Sequence, residues 1–226
     1  MNFYTRTSVI RRRLPGALAV LAGLALYTGV QAQEYSPKYV LDVQETGNMK
    51  TYNGVYPGPV MRVAPGEALD VELINSLPVL NDDCTDNMNS EHGLNTTNLH
   101  PHGLHVSPDF DSTGKYFSDN VFVSLVPEGQ VVECESDKAH GQEHHGMPMH
   151  YVWGSAKYRF ELPADHMSGT FWYHAHKHGS TASQVGQGLA GPLIVEDPPG
   201  TLPEYIEQAN EKILVLGNRG LYLGNI

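Results

Sequence analysis

The stretch Gly169-Thr-Phe-Trp-Tyr-His-Ala-His-Lys-His-Gly179 joins an aromatic run to three histidines in strict alternation: His174, His176 and His178. Earlier in the chain, Asn98-Leu-His-Pro-His-Gly-Leu-His105 contains a second alternating pair, His100 and His102. Side chains two residues apart on a strand point to the same face. Imidazole is the commonest protein ligand for copper, zinc and iron. The two histidine pairs therefore predict a metal site built on two strands.

Short alternating segments separated by glycine and proline turns recur along the chain. The clearest is 68–75, which places Leu69, Val71 and Leu73 on one face and Asp70 and Glu72 on the other. Further strands are predicted over 39–44, 60–63, 99–106, 121–125, 130–134, 158–162, 170–174, 193–196 and 212–216. Many short strands at regular spacing predict an all-β, Greek-key β-sandwich.

The segments between these strands are predicted to be mostly irregular. We expect an insertion without regular structure over 135–155, a turn of helix within 179–189 and a short helix over 202–210 with Thr201 as N-cap. Pro101 separates His100 from His102, and proline cannot donate a hydrogen bond to a central strand ladder. The first histidine pair is therefore expected at a sheet edge.

The net charge and the N-terminal residues indicate which partners and which location fit the protein. The chain has 25 acidic and 14 basic residues, a formal net charge of −11, which argues against nucleic-acid binding. Residues 1–32 combine arginines, an apolar run and a small-residue cleavage site at Val30-Gln31-Ala32, as signal peptides do. We expect an exported protein, periplasmic or secreted, without stable membrane insertion after cleavage; a membrane anchor is the alternative. The route, general secretory or twin-arginine, stays open.

The only two cysteines, Cys84 and Cys134, leave two interpretations open. In an exported chain an even number of cysteines favours a disulfide, which would stabilise the fold by about 4 kcal/mol in the chain-entropy model. Two free thiols in polar loops are the alternative. Neither cysteine has a histidine neighbour, so neither resembles a blue-copper thiolate.

At these motifs the chain resembles the multicopper oxidases, including laccase-like and cuprous-oxidase-like members. Thr97-Asn-Leu-His-Pro-His-Gly-Leu-His-Val-Ser-Pro108 and 169–179 resemble the first two copper motifs of that family. Tyr52-Asn-Gly-Val-Tyr-Pro-Gly-Pro59 and Gly188-Leu-Ala-Gly-Pro-Leu-Ile-Val-Glu-Asp197 resemble other parts of its first domain. The resemblance implies an N-terminal cupredoxin (plastocyanin-like) domain over 33–198. Residues 199–226 would be a linker and the first strand of an incomplete second domain.

The resemblance also implies roles for four histidines. His100 would bind the type 2 copper, and the paired type 3 coppers would be bound by His102, His174 and His176. Such a trinuclear cluster reduces dioxygen to water with electrons from a phenol, an amine or a metal ion. No catalytic residue apart from these copper ligands is implied. His178 and His105 match no ligand position of the family, and His178 is expected to support the site.

The chain departs from the family in its second half. It has no His-Cys-His and no histidine after His178, so the type 1 copper site and half of the trinuclear ligands are absent from these residues. The chain alone is therefore expected to be incomplete and inactive. It would be a fragment, a truncated product or a subunit that receives the missing C-terminal cupredoxin domain in cis or in trans.

Other functions compete with the oxidase. A stand-alone copper-binding or copper-buffering cupredoxin would use the same histidines without oxidase activity. A zinc-binding sandwich is also open, because Zn²⁺ takes three or four histidines as well. The segment 139–150 either loads or oxidises cuprous ion or is a solvated loop with adventitious binding; its candidate donors are His140, His144, His145, Met147, Met149 and His150.

Overall fold

The computed structural model describes residues 34–80, 90–132, 143–144, 147–217 and 220–224. The predicted signal peptide and both cysteines lie outside these residues, as does half of the histidine- and methionine-rich segment 139–150, including His140 and His145. Within the described part of the chain, no helix combines the length and apolar composition needed to cross a bilayer.

Strands dominate the described residues. In chain order they are β1 (Tyr39–Thr46), β2 (Met49–Tyr52), β3 (Met61–Val63), β4 (Ala68–Asn75), β5 (His100–His102), β6 (Val123–Val126), β7 (Glu143–His144), β8 (Met147–Pro148), β9 (His150–Trp153), β10 (Ser155–Glu161), β11 (Gly169–His174), β12 (Ala190–Val195), β13 (Ile213–Gly217) and β14 (Gly220–Gly224). Two helices accompany them, α1 (Thr181–Gln187) and α2 (Glu204–Glu207).

Two four-stranded sheets form the body of the protein. The first has the order β10-β4-β1-β2, with β1 and β4 parallel and the other neighbours antiparallel. The second has the order β3-β12-β11-β5, with β3 and β12 parallel. Because β5 is the last strand of its sheet, the predicted edge position of Pro101 is confirmed.

A single hydrophobic cluster lies between the two sheets. The first sheet contributes the predicted face of β4, where Leu69, Val71 and Leu73 have no exposed surface. The second sheet contributes residues such as Tyr173 and Leu193 to the same cluster. Full burial of each such aliphatic side chain stabilises the fold by about 1.5–3 kcal/mol. One core shared by two sheets confirms the predicted all-β sandwich.

The opposite face of β4 carries a buried ion pair. Arg159 lies opposite Asp70 in the β10–β4 ladder and donates two hydrogen bonds to its carboxylate, at 2.7 and 2.6 Å. Tyr35 and Tyr116 stack on each other at 4.6 Å, and the Arg159 guanidinium lies within 6 Å of both rings. Alternation predicted a polar face here. In the structure Asp70 on this face is buried, and Arg159 is its charged partner.

The structure differs from the predicted strands in several places. β2 was not predicted, and the strand predicted over 99–106 is confined to β5. Residues 130–132 form no strand, and Gln130 instead closes a turn by donating its backbone N–H to the Pro127 carbonyl. β9 lies inside the segment predicted to be irregular, where it pairs in parallel with β6. β13 pairs with β14 in a hairpin, whereas a single unpaired strand was predicted.

The helices also depart from the prediction. α1 has seven residues rather than one turn. α2 begins after Pro203, and the hydroxyl of Thr201 donates to the Pro198 carbonyl instead of capping the helix. Pro203 is the N-cap residue, and its carbonyl accepts from the backbone N–H groups of Ile206 and Glu207 at 2.8 and 3.2 Å.

Candidate metal centre

The two predicted ligand strands are direct neighbours. β5 and β11 pair antiparallel, with His100 opposite His174 and His102 opposite Trp172. Residues that lie opposite each other in a ladder project to the same face of the sheet. The register therefore places three imidazoles and one indole together at the edge of the second sheet.

The three imidazoles form a compact group. The ring centroids of His100, His102 and His174 are separated by 5.1–5.5 Å. One ring nitrogen from each lies within 4.8 Å of the others, the only such three-ligand group among the described residues. Burial decreases across the group: His174 is buried, His100 is half-buried and His102 is exposed. The group is therefore anchored in the sandwich and open on one side.

One distance fits two ligands of a single metal ion. His102 Nδ1 lies 3.3 Å from His174 Nε2. Two nitrogens bound at about 2.0–2.1 Å to a tetrahedral ion are about 3.3 Å apart. His174 Nδ1 donates a hydrogen bond to the Ala175 carbonyl at 2.9 Å, so the neutral ring carries its lone pair on Nε2. The tautomer is therefore the one that a metal at this point requires.

His174 is electrostatically suited to metal binding. Burial lowers the pKa of His174 from 6.5 to about 4; the hydrogen bond to Ala175 opposes the shift, and the neighbouring imidazoles reinforce it. A ring with so low a pKa is neutral at physiological pH. Metals bind neutral imidazole, so binding here displaces no proton from His174.

His100 is oriented by a carboxylate. Its Nδ1 donates to Oδ1 of Asp119 at 2.6 Å, and both side chains are largely buried. Such a bond fixes the ring and leaves Nε2 as the donor atom, and it increases the basicity of the ligand. The sequence analysis did not identify Asp119, because nothing in the residues around it distinguishes this aspartate from its neighbours.

His176 lies beside the group but outside it. Its ring centroid is 5.0 Å from that of His100 and 5.6 Å from that of His174. It follows the end of β11, where its backbone N–H donates to Oδ1 of Asn98 at 2.7 Å. The buried Asn98 amide in turn donates to the carbonyls of Val121 and Val123. Asn98, a second residue without a sequence signal, thus fixes the backbone that carries His176.

The aromatic run before the histidines has two roles. Trp172 stacks on His174 with a centroid separation of 4.1 Å and on His102 at 5.0 Å, so it forms one wall of the group. Tyr173 is fully buried and donates its hydroxyl to the Pro59 carbonyl at 2.7 Å. A Cβ at Gly58 would lie 2.6 Å from that hydroxyl, which explains the glycine in the Pro-Gly-Pro turn.

None of the other described histidines belongs to this group. The backbone N–H of His105 donates to Nε2 of His166, and the two rings are 5.3 Å apart. The ring centroids of His178 and His92 are 5.8 Å apart. His150, at the end of the insertion, packs edge-on against Phe110.

Comparison with known proteins finds similarity to multicopper oxidases. The family model described as multicopper oxidase matches residues 136–200. Laccase-1 of Thanatephorus cucumeris is 27% identical over 172 residues, covering 76% of this chain and 22% of the laccase. Multicopper oxidase mco of Staphylococcus haemolyticus is 27% identical over 150 residues, covering 66% of this chain and 22% of that protein. Over these residues the chain is similar to multicopper oxidases.

A solved multicopper oxidase from Campylobacter jejuni, described as a metallo-oxidase, is 23% identical with a TM-score of 0.42. The match covers 74% of this chain and 27% of that one. The fold of this chain is an all-β sandwich, as predicted. The chain spans about a fifth of the length of the curated relatives it matches. Copper is the metal that the family implies, and an all-imidazole donor set suits copper.

Proposed function

We propose that His100, His102, His174 and His176 bind copper and provide one half of a trinuclear cluster that reduces dioxygen to water. The observation that carries this proposal is the convergence of His100, His102 and His174 on one face of the β5–β11 ladder. Similarity to the multicopper oxidases suggests copper as the metal. The spacing of His102 Nδ1 and His174 Nε2 is that of two ligands of one ion.

The proposed ligands divide between two kinds of copper. His100 would hold the type 2 copper, and the type 3 pair would be held by His102, His174 and His176. When bound, such a cluster would pass electrons from the reducing substrate to dioxygen without release of partly reduced oxygen. The protein's part is to hold each imidazole in one tautomer, through Asp119 for His100 and through the Ala175 carbonyl for His174.

The rest of the enzyme is proposed on chemical grounds. Four histidines are half of the trinuclear set, so the other ligands and the type 1 copper would come from polypeptide beyond these 226 residues, in cis or in trans. The reducing substrate would be a phenol, an amine or a metal ion. An oxidase of this kind would be exported to the periplasm or the medium, as the character of residues 1–32 favours.

Trp172 provides the test of the metal site. In a Trp153→Phe variant it is the only tryptophan of the chain, and it stacks on two proposed ligands. Paramagnetic Cu²⁺ bound there is expected to quench most of its fluorescence, whereas Zn²⁺ is not. His102→Ala and His174→Ala should abolish the quenching, and His105→Ala, at an exposed histidine outside the group, should preserve it. Unchanged quenching after both ligand substitutions would refute the copper half-site.

Oxygen uptake separates the oxidase from a copper buffer. The copper-loaded chain joined to polypeptide that carries a His-Cys-His motif is expected to consume dioxygen with a phenol, an amine or a cuprous salt. Loss of this uptake in the His174→Ala variant would tie it to the proposed ligands. Copper binding without oxygen uptake in any such assembly would favour the buffering protein. Selective retention of zinc over copper would defeat both functions.

A further inference from the structure

Three of the four proposed ligands lie in the β5–β11 ladder, but His176 does not. The ladder ends at the pair formed by His100 and His174, and His176 lies two residues beyond it. Its ring centroid is nevertheless 5.0 Å from that of His100, closer than the 5.6 Å to His174 of its own motif. Contacts outside the sheet therefore hold the segment of His176 against the segment that leads into β5.

The side chain of Gln184 joins these two segments. Gln184 lies in α1, which follows the second histidine motif, and it is completely buried. Its Nε2 donates to the carbonyls of Thr96 at 2.6 Å and Leu94 at 3.2 Å, and to Oγ of Ser180 at 2.9 Å. Its Oε1 accepts from the Thr97 hydroxyl at 2.9 Å. One buried amide thus binds three residues of the segment just before β5.

The hydrogen bonds of Gln184 lead to His176 from two sides. Asn98, the next residue of the segment that the amide binds, accepts from the His176 backbone N–H at 2.7 Å. On the other side, the backbone carbonyl of Gln184 accepts from the Leu189 N–H at 3.0 Å. The Leu189 carbonyl in turn accepts at 3.2 Å from the N–H of Ala175, which directly precedes His176. Gln184 therefore lies between the two backbone segments that carry the ligands.

We propose that Gln184 is a positioning residue of the copper half-site and sets the separation of His100 and His176. Apolar burial is non-directional, so a hydrocarbon side chain of similar size would fill the space without fixing how the two segments lie. A fully satisfied buried amide is directional and specifies one arrangement. The role rests on the proposed copper function, because His176 is a ligand only there, but the arrangement of the rings can be measured without metal.

Nuclear Overhauser effects between ring protons test this role in the metal-free full chain. The wild type is expected to give a ligand cross-peak between His100 and His176, whose centroids are 5.0 Å apart. A ladder cross-peak, between His102 and Trp172 at the same separation, reports the β5–β11 register. Gln184→Met should lose the ligand cross-peak and keep the ladder cross-peak. Its Cu²⁺ affinity should fall by about 10- to 100-fold in a competition titration.

Two further variants make the test specific. Thr97→Val keeps the shape of its residue and removes the hydroxyl that donates to Gln184, so it tests the same contact if Gln184→Met does not fold. It should weaken the ligand cross-peak. Gln130→Met is the matched control, since Gln130 is a buried glutamine whose side-chain oxygen accepts from the Leu80 N–H at 3.1 Å. It should keep both cross-peaks.

An unchanged ligand cross-peak in folded Gln184→Met or in Thr97→Val would overturn the positioning role. Its loss in Gln130→Met would do the same, because any buried glutamine would then have this effect. Loss of the ladder cross-peak in Thr97→Val would also overturn it, since the whole sheet edge would have moved. If Cu²⁺ did not quench Trp172 in the Trp153→Phe protein, the proposed copper function would fail instead, whatever the cross-peaks show.

Discussion

Asp119 accepts a hydrogen bond from Nδ1 of His100 at 2.6 Å, and this bond connects the loop before β6 to the first proposed copper ligand. Removal of such a partner typically weakens metal binding by about 10- to 100-fold. Asp119→Ala should therefore weaken copper binding by about this factor, measured by competition titration. Asp119→Asn retains a hydrogen-bond acceptor without the charge. Its copper affinity should lie between that of Asp119→Ala and that of the wild type.

Asp165→Asn is the control for the two Asp119 variants. Asp165 is exposed, and its substitution removes the same charge at a position away from His100. Its copper affinity should equal that of the wild type. If Asp119→Ala bound copper as tightly as Asp165→Asn, the carboxylate would have no part in orienting His100.

The sequence predicted those features that depend on local periodicity. Alternation of Leu69, Val71 and Leu73 located β4 with its correct bounds, because one face of that strand packs on the core. The spacing of the two histidine pairs predicted two ligand strands, and Pro101 predicted an edge. In each case the residues that reveal the feature lie within a few positions of one another in the sequence.

Features that depend on contacts between distant segments could not be predicted. Asp119 and Asn98 act on histidines that only the folded sandwich brings to them. β9 contains His150-Tyr-Val-Trp153, which does not alternate, and it forms a strand because β6 pairs with it. His176 matched its motif, but the end of β11 places its ring beside the three-imidazole group rather than in it.

The buried pair of Asp70 and Arg159 is expected to be important for stability. Their side chains are 5% and 3% exposed, and the guanidinium satisfies both carboxylate oxygens. Removal of one partner leaves a buried charge without compensation and costs about 3–5 kcal/mol. Arg159→Met should lower the free energy of unfolding by about that amount, measured by urea denaturation.

Arg62→Met provides the comparison, because Arg62 forms ion pairs with Glu196 and Glu211 in a more exposed position. Loss of exposed pairs costs about 0–1 kcal/mol each. Similar losses in the two variants would contradict the importance given to burial.

Asp111 should make the fold sensitive to acid. Burial tends to raise the pKa of its carboxyl, but hydrogen bonds from the Thr113 hydroxyl and from the backbone of Tyr116 and Lys115 outweigh it, and the pKa falls below 3.8. A lowered pKa means that the unfolded state binds protons first as the pH falls. The stabilisation is therefore complete above pH 3.8 and is lost as the pH falls through the folded-state pKa.

Asp111→Asn removes this titration. The variant should be less stable at neutral pH by about 1–3 kcal/mol, because hydrogen bonds to a charged acceptor are replaced by bonds to a neutral one. Its free energy of unfolding should change less with pH below 4 than that of the wild type. Parallel stability curves for the two proteins would exclude Asp111 as a source of acid sensitivity.

Asn98 should couple stability to the geometry of His176. Its side chain is fully buried, accepts from the His176 backbone N–H and donates to the carbonyls of Val121 and Val123. Asn98→Leu leaves these buried groups unsatisfied, at about 1–3 kcal/mol for each. We expect a marked loss of stability in urea and a changed Cu²⁺ paramagnetic resonance spectrum, since His176 loses its anchor.

Asn75→Leu is the matched control for that substitution. Asn75 is also a buried asparagine whose side chain makes three hydrogen bonds. Its amide group donates to the carbonyls of Asn95 and Leu125, and its oxygen accepts from the backbone N–H of Leu77. None of its partners is a proposed ligand, so Asn75→Leu should lose stability without a change in the copper spectrum. Identical spectra for the two variants would show that Asn98 stabilises the fold but does not position His176.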